Sequence, residues 1–323
     1  MNKNDNIYVA GHNGMVGSAI VRLLKMEGFH KVLTANRDHC DLSRQEEVNI
    51  WFDQHDIDYL FLAAAKVGGI YANNSFGAQF IHENLAIQTN VIHAAYKHGV
   101  KGLLFLGSSC IYPRDCPQPI KEEYLMTGPL ESTNESYAIA KIAGLKMVEA
   151  YNREYGTQYL ALMPTNLYGM NDNFDPNASH VVPALLRKFN EALKTGAPCV
   201  RVWGTGSPRR EFLLVDDLAE ACLFCMRLYS THHEPGFTMI NVGSGEEVSI
   251  AELARMVART VGYKGNIEFD SSMPDGTPRK LLDSSRINAL GWRARKTLDE
   301  GLSETYAWYL NHQREKAVEH ASH

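Results

Sequence analysis

Short apolar runs alternate with helix-length amphipathic segments through the first half of this 323-residue chain, and this alternation constrains the fold more than any other feature. Apolar strands that are separated by helices form a parallel sheet with both faces covered. The sequence therefore predicts an α/β fold with a doubly wound parallel sheet. The expected strands are Ile7 to Ala10, Lys31 to Thr34, Tyr59 to Ala65, Gly102 to Leu106 and Tyr159 to Met163.

A glycine-rich turn follows the first expected strand directly. Gly11, Gly14 and Gly17 open a helix whose buried face contains Ala19 and Ile20. Glycines in this position permit a tight turn and a close backbone approach to a pyrophosphate, and the helix N-terminus adds amides and a positive dipole. The spacing is GxxGxxG rather than GxGxxG, but its placement predicts a Rossmann-type dinucleotide site.

The residues at the end of the second strand bear on the choice of cofactor. An NAD enzyme places an acid there for the ribose diol, whereas this chain has Asn36 and Arg37. An arginine can pair bidentately with a 2′-phosphate, which favours NADP. The alternatives are that Arg37 is a solvated surface residue and that Asp38 or Asp41 plays a different part.

The pattern changes after Leu167, where a turn-rich loop runs from Asn171 to Asn177. Short strands then mix with helices, which indicates a smaller mixed α/β domain. We predict a cofactor-binding domain over residues 1–168, to which a segment near 205–245 returns. Residues 169–323 form a mainly substrate-binding, discontinuous domain. A capping box is also expected at Ser43, with Glu46 three residues later.

Composition excludes several classes of partner. No run of 18 apolar residues is present, and 32 Lys and Arg against 37 Asp and Glu give a net charge of -5. No overall positive field would attract nucleic acid or an acidic membrane. The polar N-terminus lacks the features of a secretory signal, and the six scattered cysteines do not resemble a disulfide framework. We expect a cytoplasmic protein with free thiols; Cys222 and Cys225 match the core of a helix better than a metal or redox site.

Three residues in the first half of the chain, Ser108, Tyr137 and Lys141, have side chains that can support carbonyl reduction. Tyr137 and Lys141 lie one helical turn apart, and a lysine so placed is expected to lower the pKa of the tyrosine. Ser108 follows the fourth strand, at the edge of the sheet where open α/β folds bind ligands, and could hydrogen-bond a carbonyl. Taken alone, YxxxK is more often structural than catalytic.

These motifs together resemble the extended short-chain dehydrogenase/reductase family that acts on nucleotide sugars. Within that family the chain is similar, over nearly its whole length, to the NADPH-dependent 3,5-epimerase/4-reductases that form GDP-L-fucose from GDP-4-keto-6-deoxy-D-mannose. The similarity rests on Leu106 to Tyr112, Asn134 to Lys141, Met163 to Gly169, Ser179 to Pro183 and Ala63 to Ile70. Ser136 stands where the family often has proline. The resemblance implies a dimer formed through the helix that carries Tyr137.

Epimerisation beside a ketone needs a base on one face of the sugar and an acid on the other. Cys110 and His180 could supply this pair, although each residue taken alone is more often structural. The family's pairing of a cysteine and a histidine at matching positions strengthens the assignment. The residues leave open which of the two is the base.

The resemblance also implies binding residues. Lys188 stands where the family often has arginine. Cofactor contacts are expected at Gly11, Gly14, Met15, Val16, Gly17, Arg37, Asp41, Leu42, Ala64, Leu106, Gly107, Ser108, Ser109, Tyr137, Lys141, Pro164, Asn166, Leu167 and His180. Contacts to the nucleotide sugar are expected at Lys188, Trp203, Arg210 and Asp275, with no metal.

Three alternatives remain beside a GDP-L-fucose-forming enzyme. The nearest is an epimerase/reductase of a related GDP-keto-sugar, such as the precursor of GDP-L-colitose. A 4,6-dehydratase usually has an acidic pair where Ser109 and Cys110 stand here. A dinucleotide-sensing regulator on the same fold commonly lacks the tyrosine and lysine, both of which are present.

Overall fold

The computed structural model describes residues 1–176, 179–229, 238–273 and 275–321. Asn177, the last residue of the predicted turn-rich loop, lies outside these ranges. The strands are β1 (Asn6–Ala10), β2 (Lys31–Leu33), β3 (Tyr59–Leu62), β4 (Gly102–Leu106), β5 (Tyr159–Pro164), β6 (Asn166–Tyr168), β7 (Cys199–Trp203), β8 (Arg209–Leu214), β9 (Met239–Val242), β10 (Glu247–Ser249), β11 (Asn266–Asp270) and β12 (Arg279–Lys280). The helices are α1 (Met15–Met26), α2 (Gln45–Gln54), α3 (Ile70–Ser75), α4 (Gly77–Lys97), α5 (Glu135–Tyr155), α6 (Val181–Thr195), α7 (Val215–Tyr229), α8 (Ile250–Val261), α9 (Ser285–Ala289) and α10 (Leu298–Ala321).

The main sheet is parallel throughout and has the order β2-β1-β3-β4-β5-β9. The chain winds outward from β1 to β2 and then in the opposite direction from β3 onward. The topological switch point therefore lies between β1 and β3, where open α/β sheets bind their ligands. The predicted fold class, a doubly wound parallel sheet, is confirmed.

Helices cover both faces of this sheet, which explains why its strands are apolar on both sides. Ile7 and Val9 of β1 pack in one cluster with α1 and α7, whereas Tyr8 and Ala10 pack in another with α2, α4 and α5. This alternation follows the period of two along a strand. Both clusters are buried, so the carboxyl edge of the sheet is held rigidly.

A second group of strands lies beyond β5. Strand β8 pairs with β6, β10 and β12, and β11 pairs with β7. Helices α6, α8 and α10 pack around a third core that includes Leu186, Val257 and Leu302. Within the segment near 205–245, β8 belongs to this second sheet, whereas α7 packs against α1 and β9 joins the main sheet. The division into two domains stays a prediction.

The capping box expected at Ser43 is wrong. Helix α2 begins after Arg44, which makes no side-chain capping hydrogen bond. The Ser43 hydroxyl instead donates to Oδ1 of Asp41 at 2.7 Å, and the carboxylate of Glu47 accepts from the Asp41 amide at 2.7 Å. The acidic side chain that accepts from the segment before the helix is thus Glu47, one residue later than the predicted Glu46. Asp41 accounts for the difference, because its carboxylate accepts from Ser43 and forms a turn before the helix begins.

All six cysteines lie in the described part of the chain and are free thiols, as predicted. Cys222 and Cys225 are buried in α7, where burial raises the pKa of Cys225 to about 12. Among the helices of the described ranges, none has the length and apolar character that a bilayer crossing requires.

Candidate active site

The glycine turn closes tightly after β1. Gly11 has a φ of +88°, a left-handed conformation that favours glycine, and a Cβ there would lie 2.6 Å from backbone atoms of Ala64. A Cβ on Gly17 would overlap the carbonyl oxygen of Gly11. Because Ala64 follows β3, the loops after β1 and β3 touch at the switch point and leave room there only for backbone.

The N-terminus of α1 provides amide donors at this point. Gly14 precedes the helix without a side-chain cap, and the first turn, which begins with Met15 and Val16, contains no acidic residue. The first amides of a helix have no acceptor within the helix, and their dipole favours an anion. The glycine turn has no room for a side chain, and the first amides of α1 have no capping side chain. Together these two features fit the pyrophosphate of a dinucleotide.

Arg37 lies beside this turn. Asn13 of the turn donates to the side-chain oxygen of Asn36 at 2.8 Å, and the neighbouring Arg37 is 72% exposed. The Arg37 guanidinium donates to Asp41 at 3.0 Å. Burial opposes ionisation of Asp41, but hydrogen bonds from Ser43 and Arg37 lower the pKa of that carboxyl below its usual value. Asp41 therefore holds Arg37 as an exposed cation near the turn.

The other predicted cofactor residues lie at or near the same edge of the sheet. Leu106 ends β4 and is followed by Gly107, Ser108 and Ser109, while Pro164 ends β5 just before Asn166 and Leu167 of β6. Asn166 donates to the carbonyl of Glu211 at 2.8 Å, which joins this edge to β8. The Leu42 carbonyl accepts from Asn90 of α4 at 3.1 Å.

Ser108, Tyr137 and Lys141 are brought together across β4 and α5. A hydrogen bond joins the side chains of Tyr137 and Ser108. Nζ of Lys141 donates to the carbonyl of Leu106 at 2.7 Å, and the lysine is only 3% exposed. Burial lowers the pKa of Lys141 to about 7, so its charge changes near neutral pH.

The expected lowering of the Tyr137 pKa by Lys141 together with a cationic nicotinamide stays a prediction. Burial raises the pKa of Tyr137 above its usual value, and only the hydrogen bond with Ser108 opposes this. The Lys141 nitrogen lies 5.8 Å from the centre of the tyrosine ring and donates elsewhere. Tyr137 is thus a neutral hydroxyl at pH 7, which is the form that donates a proton.

Cys110 stands next to this group on a 3-10 helix, Ser109–Ile111. The Ser108 hydroxyl oxygen accepts from the Cys110 amide at 3.2 Å. The sulfur accepts from Nδ2 of Asn134 at 3.5 Å and from Nζ of Lys280 at 3.7 Å. Sequence reasoning did not assign Asn134 or Lys280 to the site. Lys280 belongs to a charged stretch in which cations were expected to meet the GDP pyrophosphate, but nothing in the sequence places it at a cysteine 170 positions away.

His180 immediately precedes α6, with its backbone extended. Its imidazole is solvent-accessible, yet the protein atoms around it lower its pKa below the usual value by desolvation. The preceding loop is tied to the cofactor-binding helix, because Asn171 donates to the Ser18 hydroxyl of α1 at 2.8 Å. A neutral imidazole at this position can exchange protons near neutral pH.

The four predicted sugar-nucleotide residues form two pairs in the second group of strands, Lys188 with Trp203 and Arg210 with Asp275. Nζ of Lys188 lies 5.3 Å from the ring centre of Trp203, which is 63% exposed. Asp275 accepts from the Thr205 amide at 2.9 Å and from its hydroxyl at 2.7 Å. The charge of Asp275 also acts on the Arg210 guanidinium. An exposed indole flanked by cations suits a base and its pyrophosphate.

Comparison with curated proteins finds close relatives along nearly the whole chain. It is 57% identical over 310 residues to a putative GDP-L-fucose synthase 2 from Arabidopsis thaliana, covering 96% of this chain and 93% of that protein. It is 52% identical to the GDP-L-fucose synthase of Escherichia coli K12, covering 95% and 97%.

Among solved structures, a GDP-mannoheptose C4 reductase from Campylobacter jejuni with NADP bound has a TM-score of 0.88 at 40% identity. The alignment covers 96% of this chain and 99% of that one. The sequence signature described as the NAD dependent epimerase/dehydratase family matches residues 7–243, from β1 to the residue after β9. The match contains the glycine turn, Ser108, Tyr137 and Lys141, and the chain belongs to the NAD dependent epimerase/dehydratase family.

Proposed function

We propose that this chain is a bifunctional NADPH-dependent 3,5-epimerase and 4-reductase that converts GDP-4-keto-6-deoxy-D-mannose to GDP-L-fucose. We place it in the extended short-chain dehydrogenase/reductase family. The observation that carries the proposal is the joined group of Ser108, Cys110 and Tyr137, in a chain similar from end to end to GDP-L-fucose synthases. A simple reductase has no need of the cysteine.

NADPH, when bound, supplies the hydride for carbon 4 of the sugar. The uncapped amides of α1 would hold its pyrophosphate, and the exposed Arg37 would pair with its 2′-phosphate. Ser108 orients the keto oxygen, and the neutral hydroxyl of Tyr137 gives that oxygen a proton. Lys141, when protonated, stabilises the tyrosinate that remains, and a proton from solvent then restores the tyrosine hydroxyl.

Epimerisation precedes this reduction and uses the same keto group. Loss of a proton from carbon 3 or 5 delocalises an electron pair onto the keto oxygen, where hydrogen bonds from Ser108 and Tyr137 stabilise the enolate. Cys110 and His180 form the acid/base pair, one acting on each face of the sugar ring. The sulfur lies beside Ser108, and the lowered pKa of His180 keeps its imidazole neutral at pH 7, the form that can accept a proton.

The GDP portion binds to the second sheet. The indole of Trp203 packs against the base, and Lys188 and Arg210 meet the pyrophosphate. Asp275 orients Arg210 and the Thr205 turn. These contacts hold the sugar between the second sheet and the edge of the main sheet.

One experiment tests the function directly. The protein is incubated with NADPH and GDP-4-keto-6-deoxy-D-mannose, and the product is identified by NMR; GDP-L-fucose is expected. The GDP-keto-sugar precursor of GDP-L-colitose is assayed in parallel. Faster turnover of that second sugar, or a product that retains the manno configuration at carbons 3 and 5, would contradict the proposal.

We further propose a homodimer in the cytoplasm, formed through α4 and α5. Tyr96 of α4 stacks on Tyr155 of α5 at 4.2 Å between ring centres, and Tyr155 is 46% exposed. An exposed aromatic surface of this kind supports association. Sedimentation should give the mass of two chains, and Tyr155→Glu should shift it toward one.

A further inference from the structure

Lys280, in the second sheet, contacts the thiol of Cys110, which follows strand β4 of the main sheet. Lys280 of β12 places Nζ 3.7 Å from Sγ of Cys110, and Asn134 places its amide nitrogen 3.5 Å from the same sulfur. Lysine has only donors, and asparagine presents its donor side here. A sulfur faced by two donors, one of them cationic, is in surroundings that favour a negatively charged acceptor.

Hydrogen bonds on both sides hold Lys280 in this position. Strand β12 pairs in parallel with β8, so the lysine stands opposite Arg210. The Leu281 amide donates to the side chain of Gln118, in the loop that follows Cys110, at 2.9 Å. The Leu282 amide donates at 3.1 Å to Glu211, which is fully buried. The backbone around Lys280 is therefore fixed by hydrogen bonds, and this holds the lysine side chain near the thiol.

The other charged groups near the thiol have partners of their own. Arg114, Glu131 and Arg279 line the same cavity as the cysteine. Arg114 pairs with Glu131 at 3.5 Å, and Arg279 pairs with Glu247 at 2.8 Å. Tyr137, which also faces the sulfur, is neutral at pH 7 because burial raises its pKa. The ammonium of β12 is thus a cation directed at the sulfur itself.

We propose that Lys280 is a positioning residue that orients the sulfur of Cys110 and stabilises the negative charge it carries when it takes a proton from the carbon beside the keto group. This role rests on the proposed function. In the step, the carbon–hydrogen bond breaks, its proton moves to sulfur, and its electron pair moves onto the keto oxygen as an enolate. Nothing is oxidised or reduced, and the proton leaves the thiol later for solvent.

The thiol is tested first without any sugar. The rate of alkylation by iodoacetamide is measured from pH 5 to 10 at Cys110, resolved by peptide mass spectrometry, with Cys199 of β7 as the internal reference. Lys280→Met should lower the rate at pH 7 about tenfold and move the pH profile of the reaction upward. Lys280→Arg should restore most of the rate, because it keeps the charge.

The matched control is Lys121→Met, which removes an exposed lysine that lies 4.0 Å from Glu123. It should leave the profile unchanged. A Lys280→Met profile that superimposes on the parent profile would overturn the proposal, and so would a Lys280→Arg variant that behaves like Lys280→Met. If Lys280→Met unfolds, as judged by circular dichroism, Lys280→Gln replaces it and must show the same shift.

The second measurement uses the sugar. Deuterium incorporation at carbons 3 and 5 from D2O should fall about tenfold in Lys280→Met, whereas reduction of the ketone should persist. Equal loss of exchange and reduction would indicate that Lys280 serves only substrate binding, which overturns the proposal. If the alkylation profile shifts but no GDP-keto-sugar reacts, the proposed function fails and the coupling of Lys280 to Cys110 stands.

Discussion

Two groups of residues in this site come from different parts of the chain and meet at Ser108. The reducing group consists of Ser108, Tyr137 and Lys141, and the epimerising group consists of Cys110 and His180. Tyr137 and Lys141 share helix α5, and both contact the end of β4, so the reducing group is complete within the main sheet. The epimerising group combines Cys110 of the main sheet with His180 before α6, and the sulfur also contacts β12 of the second sheet. Loss of the contact between β12 and the sulfur should therefore impair epimerisation more than reduction.

Loss of the tyrosine hydroxyl is expected to have the largest effect and to separate the two groups most sharply. Tyr137→Phe should lower the rate of reduction by about 10²- to 10⁴-fold, because the proton donor to the keto oxygen is lost. NADPH should still bind, and deuterium exchange at carbons 3 and 5 should continue at least in part. The measurements are NADPH oxidation and NMR of the sugar in D2O.

The matched control is Tyr155→Phe, which removes a hydroxyl from the exposed end of the same helix. It should reduce at the parent rate. A Tyr137→Phe variant that reduces nearly as fast as the parent would remove Tyr137 from the mechanism.

Substitutions in the epimerising group should have the opposite effect and impair deuterium exchange while leaving reduction in place. Cys110→Ser replaces an ionisable thiol with a hydroxyl that hardly ionises, and His180→Gln removes an imidazole that can accept and donate a proton. Each should lower deuterium incorporation at carbons 3 and 5 by about 100-fold or more, while the unepimerised ketone is still reduced. The product would then keep the mannose-derived configuration at carbon 3 or 5, which NMR detects.

GDP-L-fucose formed at an undiminished rate by both variants, with deuterium at both carbons, would break the assignment of the pair. Cys116→Ser is the matched control, because this half-buried thiol lies six residues further along the same loop. It should leave both exchange and reduction intact.

A smaller effect is expected at the cofactor edge of the reducing group. Arg37→Ala should weaken binding of NADPH by about 10- to 150-fold, because one charge-assisted phosphate contact is lost, and should weaken NADH far less. Titration by fluorescence measures both. Arg44→Ala is the matched control, since its side chain is 71% exposed and pairs with Glu47 in the same way. Equal weakening of both cofactors would place Arg37 away from the 2′-phosphate.

The smallest effect concerns stability. The pKa of Lys141 is about 7 in the folded protein against 10.5 for an ordinary lysine, so the unfolded chain binds the extra proton between these values. The folded state should gain stability as pH rises through this window and lose it as pH falls toward 7. The gain is about 1.4 kcal/mol per pH unit at most.

Lys141→Met keeps the length of the side chain and removes the titrating group. The difference in free energy of unfolding between parent and variant, measured in urea at pH 7 and pH 9, should therefore change with pH. Lys146→Met is the control, because this lysine of the same helix lies on the surface and pairs with Glu149. A pH-independent difference for Lys141→Met would show that the buried amine does not titrate in this range.

Local patterns were enough to predict much of the fold, and they place Ser108, Tyr137 and Lys141 near one another, while the reducing roles of these residues stay predictions. Strands β1 to β5 match the predicted apolar runs to within three residues at their ends. The glycine turn also lies where predicted, because its constraint comes from neighbouring residues. The capping box at Ser43 failed for the opposite reason. Its serine had an alternative acceptor in Asp41, and propensity cannot rank two such hydrogen bonds.

What the sequence by itself determined is the parallel sheet, the turn after its first strand, and the presence of a serine, a tyrosine and a lysine near one edge. Periodicity and glycine placement act over a few residues, so they can be read along the chain. The tertiary structure alone decided that Lys280 faces Cys110, and that the pKa of Tyr137 is raised while that of Lys141 falls. Charge and desolvation depend on neighbours in space. The neighbours of Lys280 come together only when β12 pairs with β8, and those of Tyr137 and Lys141 only when α5 packs beside the end of β4.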